Sequence, residues 1–494
     1  MADFDLAIIG GGINGVGIAR DAAGRGLKVA LFEQNDLASG TSSASSKLIH
    51  GGLRYLEHGA LRLVRAALSE REVLLRTAPH LIRPLRFVLP LDAASRSPIV
   101  LRLGLFLYDL IGHRAILPGT RPVDLVTGET GLPLKRRFHH GYEYSDCFAD
   151  DARLVVVSAI DAAERGAVIR TRTRCARAER GDIWRLILNS RGVRDVVTAR
   201  VLVNAAGAWV ETVAETVLQQ VPLRRLRLDK GSHIVVPRLY DHDRAYILQA
   251  ADGRVVFAIP FQHDYTLIGT TDQSFTGDPA AVAPSKEEID YLCGVINEYF
   301  RSAIGAADVV WAYAGVRSLY DDGARKPQDI GRDYTLVLDK SRGNAPLLTI
   351  YGGKLTTYRR LAEDALARLS HFFPRSRPWT ANSPLPGGDF VYDGAAVLVA
   401  RTRRQWPFLT DDHARRLVAA YGTRVPDVLK TATQLHDLGT CFGADLTAAE
   451  VRYLMIKEWA QTAEDVLWRR SKLGLRFLES ERSALERFMA QSNS

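Results

Sequence analysis

A glycine-rich turn between two short apolar segments opens the chain and constrains its fold more than any other feature. Residues 6–9 predict a buried strand, residues 15–25 predict a helix, and a second strand follows. Between the first strand and the helix, Gly10, Gly12 and Gly15 form the pattern G-x-G-x-x-G. In this context the three glycines permit a tight turn, the approach of a pyrophosphate to the backbone, and close helix–strand packing.

The carboxylate that ends the second strand is a further sign of a dinucleotide site. Glu33 follows Gly10 at close to the spacing of an acidic residue that accepts hydrogen bonds from ribose hydroxyls. The pyrophosphate would lie at the helix N-terminus, where free N–H groups and the helix dipole favour negative charge. Because Glu33 and Gln34 are not basic, a 2′-phosphate is disfavoured. The segment therefore predicts an adenine dinucleotide site, to which Ile13, Asn14, Glu33 and Gln34 contribute.

Composition places the chain among globular proteins and disfavours several kinds of site. Its 494 residues, 47% hydrophobic and 24% charged, are enough for about two to four domains. The four cysteines are scattered and form no C-x-x-C pair, so a disulfide scaffold, a zinc site and an iron–sulfur cluster are disfavoured. With a core strand beginning by Leu6, no signal or transit peptide is expected. We expect a reducing, cytoplasm-like compartment.

Positive charge is concentrated around an unusually apolar helix. The chain has a formal net charge of +9, and residues 47–121 hold twelve Lys or Arg against five acidic residues. Within them, residues 99–112 predict a helix of about 21 Å, too short to cross a bilayer of about 30 Å. It is either a buried core helix or a monotopic anchor held on anionic lipid, and we favour the anchor. No recognisable nucleic-acid module accompanies the charge, so no nucleic-acid partner is expected.

A serine-rich segment, residues 38–57, follows the second strand. Its hydroxyls and backbone N–H groups are suited to phosphate or to the edges of a flavin. The alternative is a flexible linker, but a linker would not continue directly into an apolar, glycine-containing run. A nicotinamide enzyme has no need of such a segment here, whereas a flavin extends from the dinucleotide fold into a neighbouring site. The predicted cofactor contacts in this segment are Thr41, Ser42, Ser43, Ser45, Ser46, Lys47, Leu48, His50 and Gly51.

Two later segments complete the predicted cofactor site. Residues 200–209 predict a buried strand that ends in small residues, where backbone can approach a cofactor; an ordinary strand-to-helix turn is the alternative. Residues 348–363 predict a strand, a double glycine and a helix whose N-terminus can stabilise the anionic N1–C2=O edge of a reduced flavin. The cofactor contacts predicted from these segments are Ala206, Gly207, Gly352, Gly353, Lys354, Leu355 and Thr356.

The sequence resembles the FAD-dependent glycerol-3-phosphate dehydrogenases of the aerobic, quinone-linked type. The motifs that carry the resemblance span almost the whole chain, and the most specific of them is Ser-Ser-Lys-Leu-Ile-His-Gly-Gly-Leu-Arg-Tyr. The others are Ile-Ile-Gly-Gly-Gly-Ile-Asn-Gly, Val-Asn-Ala-Ala-Gly-Ala-Trp, Asp229-Lys-Gly-Ser-His233, Ile268-Gly-Thr-Thr-Asp272, Tyr313-Ala-Gly-Val-Arg317, Tyr351-Gly-Gly-Lys-Leu-Thr-Thr-Tyr and Trp468-Arg-Arg-Ser-Lys-Leu-Gly-Leu.

The resemblance implies oxidation of sn-glycerol 3-phosphate to dihydroxyacetone phosphate, with hydride passing from C2 to flavin N5. It implies ubiquinone or menaquinone as electron acceptor, contact with anionic phospholipid through the helix at 99–112, and a homodimer. It also implies a peripheral, monotopic protein on the cytoplasmic face of the bacterial inner membrane, without a transmembrane helix.

A phosphorylated three-carbon substrate needs several fixed cations, and hydride leaves C2 readily only as the C2 hydroxyl loses its proton. Matched to the family, the predicted substrate-binding residues are Arg54, Tyr55, Arg317, Arg332 and Lys354. His233 is the first choice of base because histidine titrates near neutral pH, although it fits a satisfied core histidine almost equally well. Lys354 or Arg317 would instead stabilise an alkoxide developing at C2.

The predicted fold class is α/β with an α+β cap and an all-α C-terminal domain. A Rossmann-like FAD-binding domain is expected from residues 1–75, 145–221 and 311–382. Residues 76–144 and 222–310 predict a substrate or cap domain with an antiparallel sheet, and residues 389–494 predict a C-terminal helical domain. That last domain shows no EF-hand loop and no cysteine cluster, unlike calcium-regulated and iron–sulfur-linked relatives.

Two other functions are compatible with these residues. One is a soluble flavin oxidase of a glycerol phosphate, 2-hydroxy acid or amino acid that releases peroxide; the other is a non-catalytic flavin-binding scaffold. A carboxylate substrate would need one bidentate arginine and an apolar lining, whereas several cations favour phosphate. Neutral residues in place of Arg317 and Lys354 would have favoured the scaffold.

Overall fold

The computed structural model describes residues 2–53, 60–91, 98–111, 116–320, 333–341, 343–374 and 376–492, with only the backbone at 98–100. The predicted site residues Arg54, Tyr55 and Arg332 lie outside these ranges. The helices are α1 (Ile13–Gly24), α2 (Leu61–Thr77), α3 (Pro98–Ile111), α4 (Asp151–Glu164), α5 (Val210–Thr212), α6 (Lys286–Tyr299), α7 (Tyr358–Arg368), α8 (Ala395–Gln405), α9 (Asp411–Tyr421), α10 (Val425–Leu429), α11 (Ala448–Lys457) and α12 (Glu479–Ser492).

The strands build two large sheets and one small hairpin. In chain order they are β1 (Phe4–Ile9), β2 (Val29–Phe32), β3 (Leu48–Ile49), β4 (Ile82–Leu91), β5 (Arg121–Asp124), β6 (His140–Ala149), β7 (Val168–Arg170), β8 (Thr173–Arg180), β9 (Trp184–Ser190), β10 (Val193–Asn204), β11 (Leu226–Pro237), β12 (Ala245–Gln249), β13 (Val255–Phe261), β14 (Tyr265–Gly269), β15 (Gln273–Phe275), β16 (Trp311–Tyr320), β17 (Thr335–Asp339), β18 (Leu347–Tyr351), β19 (Cys441–Gly443) and β20 (Leu446–Thr447).

The first sheet has the order β17-β18-β10-β1-β2-β7, with β9 and β8 continuing from β10. Strands β18, β10, β1, β2 and β7 run parallel, while β17, β9 and β8 are antiparallel to their neighbours. Strand β1 lies between β10 and β2, and helices α1, α4 and α7 share an apolar core with this sheet. The last four residues of β1 are therefore all buried. A central parallel strand buried on both faces is continuously apolar, as observed here.

The second sheet is mostly antiparallel, in the order β15-β11-β14-β13-β12-β4-β6-β3, with β16 on β11 and β5 on β6. The predicted strands at residues 231–236, 255–260 and 265–269 are confirmed within β11, β13 and β14. Strand β11 pairs along its length with β16, so that His233 lies opposite Tyr313, and Asp229 opposite Arg317. This pairing brings two motifs far apart in the chain onto one sheet.

Two strands of the second sheet, β3 and β16, come from parts of the chain that were assigned to the FAD-binding domain. Strand β3, at residues 48–49, pairs with β6, and β16, at residues 311–320, pairs with β11. The predicted domain boundaries assign both segments to the cofactor domain, and those boundaries stay a prediction. The structure thus has one mostly parallel sheet, one mostly antiparallel sheet and a C-terminal group of helices, which matches the predicted fold class.

Helix α3 occupies residues 98–111, one residue earlier than the predicted 99–112. Its inner face buries Leu105 and Tyr108, while Leu103, Phe106 and Leu110 are 58%, 59% and 62% exposed. The helix therefore presents apolar side chains outward as well as inward, and it is not a fully buried core helix. Among the described residues, no helix combines the length and apolarity needed to span a membrane.

Helices α8 to α12 form a C-terminal unit with its own apolar core. Residues 447–450, Thr-Ala-Ala-Glu, have the sequence of a capping box, but only half of it is formed. The Thr447 side chain accepts a hydrogen bond from the Glu450 backbone N–H, but the Glu450 carboxylate is bound by Arg416 and Tyr421 instead. A buried ion pair thus replaces the reciprocal cap, because the carboxylate gains a charged partner from α9.

His80, buried beside Phe390, should make the fold sensitive to acid. Both ring nitrogens are buried without a hydrogen-bond partner among the described residues. Burial, with the charges of Arg153 and Arg424, lowers the pKa of His80 from 6.5 to about 3. Since the unfolded chain binds this proton first, stability is complete above the unfolded pKa and falls below it, by about 2 kcal/mol near pH 5.

The variant His80→Met should therefore lose less thermal stability than the wild type between pH about 7.5 and about 5. The measurement is the thermal midpoint across that pH range, with the exposed His371→Met as a control that keeps the wild-type slope. An equally steep fall in His80→Met would show that other groups set the acid sensitivity.

Candidate active site

The glycine-rich turn has the geometry that the sequence predicts. Gly10 has a φ of +113°, and a Cβ there would lie 2.6 Å from the carbonyl oxygen of Ala205. A Cβ at Gly15 would lie 2.0 Å from the carbonyl oxygen of Gly10. Gly12 caps α1, and a Cβ there would lie 3.1 Å from Ser42 Oγ. The turn therefore passes close to the end of β10 and leaves the N-terminus of α1 open toward a cavity.

The predicted ribose-binding carboxylate, Glu33, lies at the end of β2 beside this turn. Its Oε2 accepts a hydrogen bond from the Gly11 N–H and its Oε1 accepts one from the Asn35 N–H, both at 2.7 Å. Burial raises the pKa of Glu33, and these two hydrogen bonds offset only part of that rise. The backbone thus orients the carboxylate, and each oxygen keeps a second lone pair for a hydroxyl donor.

The serine-rich segment is held in place by several of its own hydroxyls. Ser42 Oγ accepts from the Ile13 N–H at 3.0 Å, and Thr41 Oγ1 donates to the carbonyl oxygen of Val316 at 2.6 Å. Ser45 Oγ donates to Asp151 at 2.8 Å. These bonds join the segment to α1, β16 and α4, so it forms a rigid wall.

Lys47, predicted to contact the cofactor, has a different position. Its side chain is 1% exposed, and its ammonium group lies 2.9 Å from Asp151. Burial would raise the pKa of Asp151, but the Lys47 and Lys472 charges and the hydrogen bonds lower it overall. Lys47 is therefore an internal counter-charge that supports the serine-rich segment from behind.

A second glycine turn follows β18. Gly352 and Gly353 have φ values of +74° and +103°, and a Cβ at Gly353 would lie 2.7 Å from the Asn14 side chain. Asn14 Nδ2 donates to the carbonyl oxygen of Gly352 at 3.0 Å. Its Oδ1 is buried without a hydrogen-bond partner among the described residues. A cofactor that supplies a donor here would satisfy that oxygen.

His233, the predicted base, lies on β11 with its ring only 2% exposed. The ring stacks on Tyr313, with centroids 4.9 Å apart and planes 13° from parallel. Its Nε2 lies 2.9 Å from Ser46 Oγ. Burial, followed by the charges of Lys47 and Arg317, lowers the pKa of His233 to about 3. The imidazole is therefore neutral near pH 7, which is the form that accepts a proton. The expectation that this histidine titrates near neutral pH is wrong, because burial disfavours the charged ring.

Arg317 lies on β16 and is held by two groups of the β14–β15 connection. Its Nη1 donates to Asp272 Oδ1 at 2.8 Å and its Nη2 to Thr270 Oγ1 at 3.3 Å. Gly231 makes room for it, since a Cβ there would lie 2.9 Å from Nη2. Lys354, half-buried, follows the second glycine turn and precedes the short helical turn that leads into α7.

One cavity of about 1010 Å³ connects these features. Of the predicted site residues that the structure describes, three do not line the cavity: Gly15, Lys47 and Gly51. The Gly51 N–H donates instead to the hydroxyl of Tyr108. The predicted residues that line it are Gly10, Gly12, Ile13, Asn14, Glu33, Gln34, Thr41, Ser42, Ser43, Ser45, Ser46, Leu48, His50, Ala206, Gly207, His233, Arg317, Gly352, Gly353, Lys354, Leu355 and Thr356.

Several cavity-lining residues were not predicted as site residues. Trp209, Asp272, Tyr313 and Trp468 belong to the family-like motifs, so the motifs themselves were the available signal. Arg469 follows Trp468 in the C-terminal unit and bonds to Asp36. Within each motif, no local pattern distinguishes these residues from their neighbours, because tertiary contacts decide which of them reach the cavity. Within the described ranges, no group of three or more His, Cys, Asp and Glu is placed to hold a metal ion.

The cavity fits an adenine dinucleotide that extends into a flavin. The N-terminus of α1, the Glu33 carboxylate, the second glycine turn and Asn14, whose Oδ1 has no partner among the described residues, all line this cavity. The serine-rich wall continues to His233 and Arg317. Gly10, Gly12 and Gly353 lie where the chain passes closest to neighbouring atoms, and a side chain at any of them would fill the space beside the cavity.

Comparisons with known proteins agree with this geometry. The family described as FAD dependent oxidoreductase matches residues 5–359, and the C-terminal domain of alpha-glycerophosphate oxidase matches residues 378–491. A glycerol-3-phosphate dehydrogenase of Pseudomonas aeruginosa is 52% identical, over 98% of this chain and 95% of its own. A D-erythritol 1-phosphate dehydrogenase of Brucella abortus is 48% identical, over 99% of this chain and 98% of its own.

Among solved structures, the glycerol-3-phosphate dehydrogenase from Bacillus halodurans, complexed with FAD, has a TM-score of 0.75 and 26% identity. The match covers 99% of this chain and 94% of that one. These comparisons confirm the predicted fold class and the predicted cofactor. The chain therefore belongs to the FAD-dependent oxidoreductase family, in the branch that includes glycerol-3-phosphate dehydrogenases, and FAD is its cofactor.

Proposed function

We propose that this enzyme oxidises sn-glycerol 3-phosphate to dihydroxyacetone phosphate. The observation that carries the proposal is that a fixed guanidinium, Arg317, lines one cavity with Lys354 and the neutral imidazole of His233. Two cations suit a substrate whose main recognition feature is a phosphate of nearly two negative charges. The 52% identical relative named for glycerol-3-phosphate dehydrogenase supports the same substrate.

The proposed roles follow from charge and position. Arg317 and Lys354, with Arg54, Tyr55 and Arg332, bind the substrate and its phosphate. His233 accepts the C2 hydroxyl proton, and an anionic substrate favours this by offsetting the charges of Lys47 and Arg317 that lower the pKa of His233. Alternatively, Arg317 or Lys354 stabilises the alkoxide that develops at C2. When bound, FAD supplies the acceptor, at N5, for the hydride that leaves C2.

A membrane quinone, ubiquinone or menaquinone, is the proposed electron acceptor, and α3 the proposed contact with anionic phospholipid. The outward side chains Leu103, Phe106 and Leu110 provide apolar contact. Arg102 on α3 and Arg62 on the adjacent α2 are exposed and supply positive charge. Apolar area together with basic charge favours binding at the surface of an anionic bilayer. The proposed homodimer is checked by sedimentation of the purified protein.

The function is tested by anaerobic reduction of the purified holoenzyme, and the flavin absorbance reports the reduction. Glycerol 3-phosphate should bleach the flavin rapidly, and a ubiquinone analogue should restore the colour. Faster bleaching by D-erythritol 1-phosphate would move the substrate to a longer polyol phosphate, as in the 48% identical relative. Bleaching only by a 2-hydroxy acid or amino acid, with peroxide formed in air, would favour an oxidase and refute the phosphate site.

The membrane contact gives a separate prediction. The double variant Leu103→Glu with Phe106→Glu should no longer sediment with vesicles that contain anionic phospholipid, because it places two charges on the contact face. Activity with a soluble dye should stay at the wild-type level, since both side chains point away from the protein. The control is Val126→Glu with Leu132→Glu, which alters exposed apolar residues outside α3. Unchanged vesicle binding of the α3 variant would exclude α3 as the contact.

A further inference from the structure

The C-terminal unit, whose role is not explained by cofactor or substrate binding, reaches the catalytic side of the cavity through Trp468. The Trp468 ring packs partly against the core of its own unit and also lines the cavity. Its space is provided by Gly474, where a Cβ would lie 2.5 Å from the indole. Trp468 therefore belongs to two parts of the molecule at once.

From Trp468, a continuous row of rings leads to His233. The Trp468 and Trp311 rings have centroids 4.5 Å apart, and Trp311 and Tyr313 are 4.6 Å apart. Tyr313 in turn stacks on His233 at 4.9 Å. Each separation is within the range of favourable aromatic pairs, about 4.5–7 Å. The row crosses from the C-terminal unit to β16 and then to β11.

The segment that carries Trp468 is anchored on both sides of the row. On the side of the parallel sheet, Arg470 bonds both carboxylate oxygens of the buried Asp36, at 2.6 and 2.8 Å. On the side of the antiparallel sheet, Tyr265 donates to the carbonyl oxygen of Leu475 at 3.0 Å, and Arg476 bonds Asp264 at 2.5 Å. Since both anchors are fixed, Trp468 has little freedom to move away from Trp311.

Tyr313 is the ring through which this restraint reaches the imidazole. Its hydroxyl donates to the carbonyl oxygen of Ser45 at 2.9 Å, and the Lys47 ammonium lies 5.0 Å from its ring centroid. The neighbouring Ser46 hydroxyl bonds His233 Nε2. On the neighbouring strand β14, Gly269 lies directly against the imidazole: a Cβ there would lie 2.0 Å from His233 Cδ2. The ring therefore has no free space on that side. Displacement of Tyr313 would therefore disturb both the stack and the hydroxyl that holds the imidazole.

We propose that Trp468 is a positioning residue: through Trp311 and Tyr313 it holds His233 in its working orientation, so the C-terminal unit completes the catalytic side of the cavity. The role of His233 in this statement rests on the proposed function. Trp468 itself acts only through the row of rings.

The test compares Trp468→Ala with Trp468→Phe and with Arg476→Ala, all as purified holoenzymes. Stopped-flow reduction by glycerol 3-phosphate separates the limiting rate of flavin reduction from the substrate dissociation constant. For Trp468→Ala we expect the limiting rate to fall about 10- to 100-fold, the effect of a small misplacement of a reacting group. Substrate affinity should stay near wild type because the cations are untouched, and Trp468→Phe should recover most of the rate.

Arg476→Ala is the matched control, since it removes only a partly exposed ion pair of the same segment and alters no ring, while the bonds of Arg470 and Tyr265 still hold the segment. A spectroscopic readout accompanies the kinetics: two tryptophans this close give an exciton couplet in far-ultraviolet circular dichroism. The couplet should disappear in Trp468→Ala and in Trp468→Phe and persist in Arg476→Ala. Trp311→Leu interrupts the row from the other side and should add little to Trp468→Ala in a double variant, because both changes remove one interaction.

Three results would overturn the inference. One is a wild-type limiting rate in a Trp468→Ala enzyme that has lost the couplet, and another is an Arg476→Ala enzyme slowed as much as Trp468→Ala. The third is full additivity of Trp311→Leu and Trp468→Ala. If Trp468→Ala retains little FAD, the single variant Trp311→Leu decides the matter, because a wild-type limiting rate there would show that the row of rings does not hold His233. If glycerol 3-phosphate fails to reduce the wild type, the proposed function fails instead, and the same variants are compared with the substrate that does reduce it.

Discussion

Gly15→Ala should purify largely without FAD. The new Cβ would lie 2.0 Å from the carbonyl oxygen of Gly10, a distance that no van der Waals contact permits. Helix α1 must therefore move away from β1, and the helix N-terminus, the proposed site of the FAD pyrophosphate, moves with it. The added methyl also overpacks the core, at a cost of about 1–3 kcal/mol in the free energy of unfolding. The ratio of flavin to protein absorbance and the thermal midpoint measure the two effects.

Gly294→Ala is the matched control for this change. Gly294 is an exposed residue within α6, and a Cβ there would meet no heavy atom of the described residues within 4 Å beyond its own helix. Alanine in the middle of a helix is more favourable than glycine by about 0.5–1 kcal/mol, so this variant should gain a little stability and keep all of its FAD. Full FAD occupancy in Gly15→Ala would show that α1 has room to retreat without loss of the cofactor site.

Arg317→Met should lower kcat/KM for glycerol 3-phosphate by about 100- to 1000-fold, the effect of losing about 3–4 kcal/mol from a desolvated charge pair. Methionine keeps part of the apolar stem but removes the guanidinium that Asp272 and Thr270 hold toward the cavity. It also leaves the Asp272 carboxylate, a negative charge, near the proposed phosphate. FAD content should not change.

The control for Arg317→Met is Arg238→Met, at the residue that directly follows β11. Arg238 bonds the carbonyl oxygen of Tyr240 at 2.9 Å and is not among the residues that line the cavity. Steady-state kinetics with glycerol 3-phosphate and a soluble dye, together with flavin content, should show near wild-type values for this control. Undiminished kcat/KM in Arg317→Met would remove Arg317 from the proposed phosphate site, and loss of flavin would reassign it to cofactor binding.

The dinucleotide half of the site was predictable because its chemistry is local. The turn from β1 into α1 is determined by Gly10, Gly12 and Gly15, which lie within six residues of one another in the chain. The carboxylate of Glu33 reaches the same turn because β1 and β2 are adjacent parallel strands joined by one helix. Short-range patterns of this kind specify their own geometry, so the sequence was sufficient.

The catalytic side could not be assembled from local patterns. The contact between Ser46 and His233 joins residues 187 apart, and that between Asn14 and Gly352 joins residues 338 apart. Lys47 shows the limit: a lysine within a cofactor-binding motif resembles a ligand, but its ammonium is buried beside Asp151 and does not line the cavity, so its contact with the cofactor stays a prediction. Which partner a charged side chain meets depends on the packing of α4 against the serine-rich segment.

By itself, the sequence determined the glycine turns, the alternation of apolar strands and helices, the resemblance to a flavin enzyme family, and the apolar character of α3. Each of these depends on neighbours within one or two elements. The tertiary structure alone decided the register of β11 against β16, the outward direction of Leu103 and Phe106, and the row of rings from Trp468 to His233. Those features depend on how distant segments pack, and packing is a property of the whole fold.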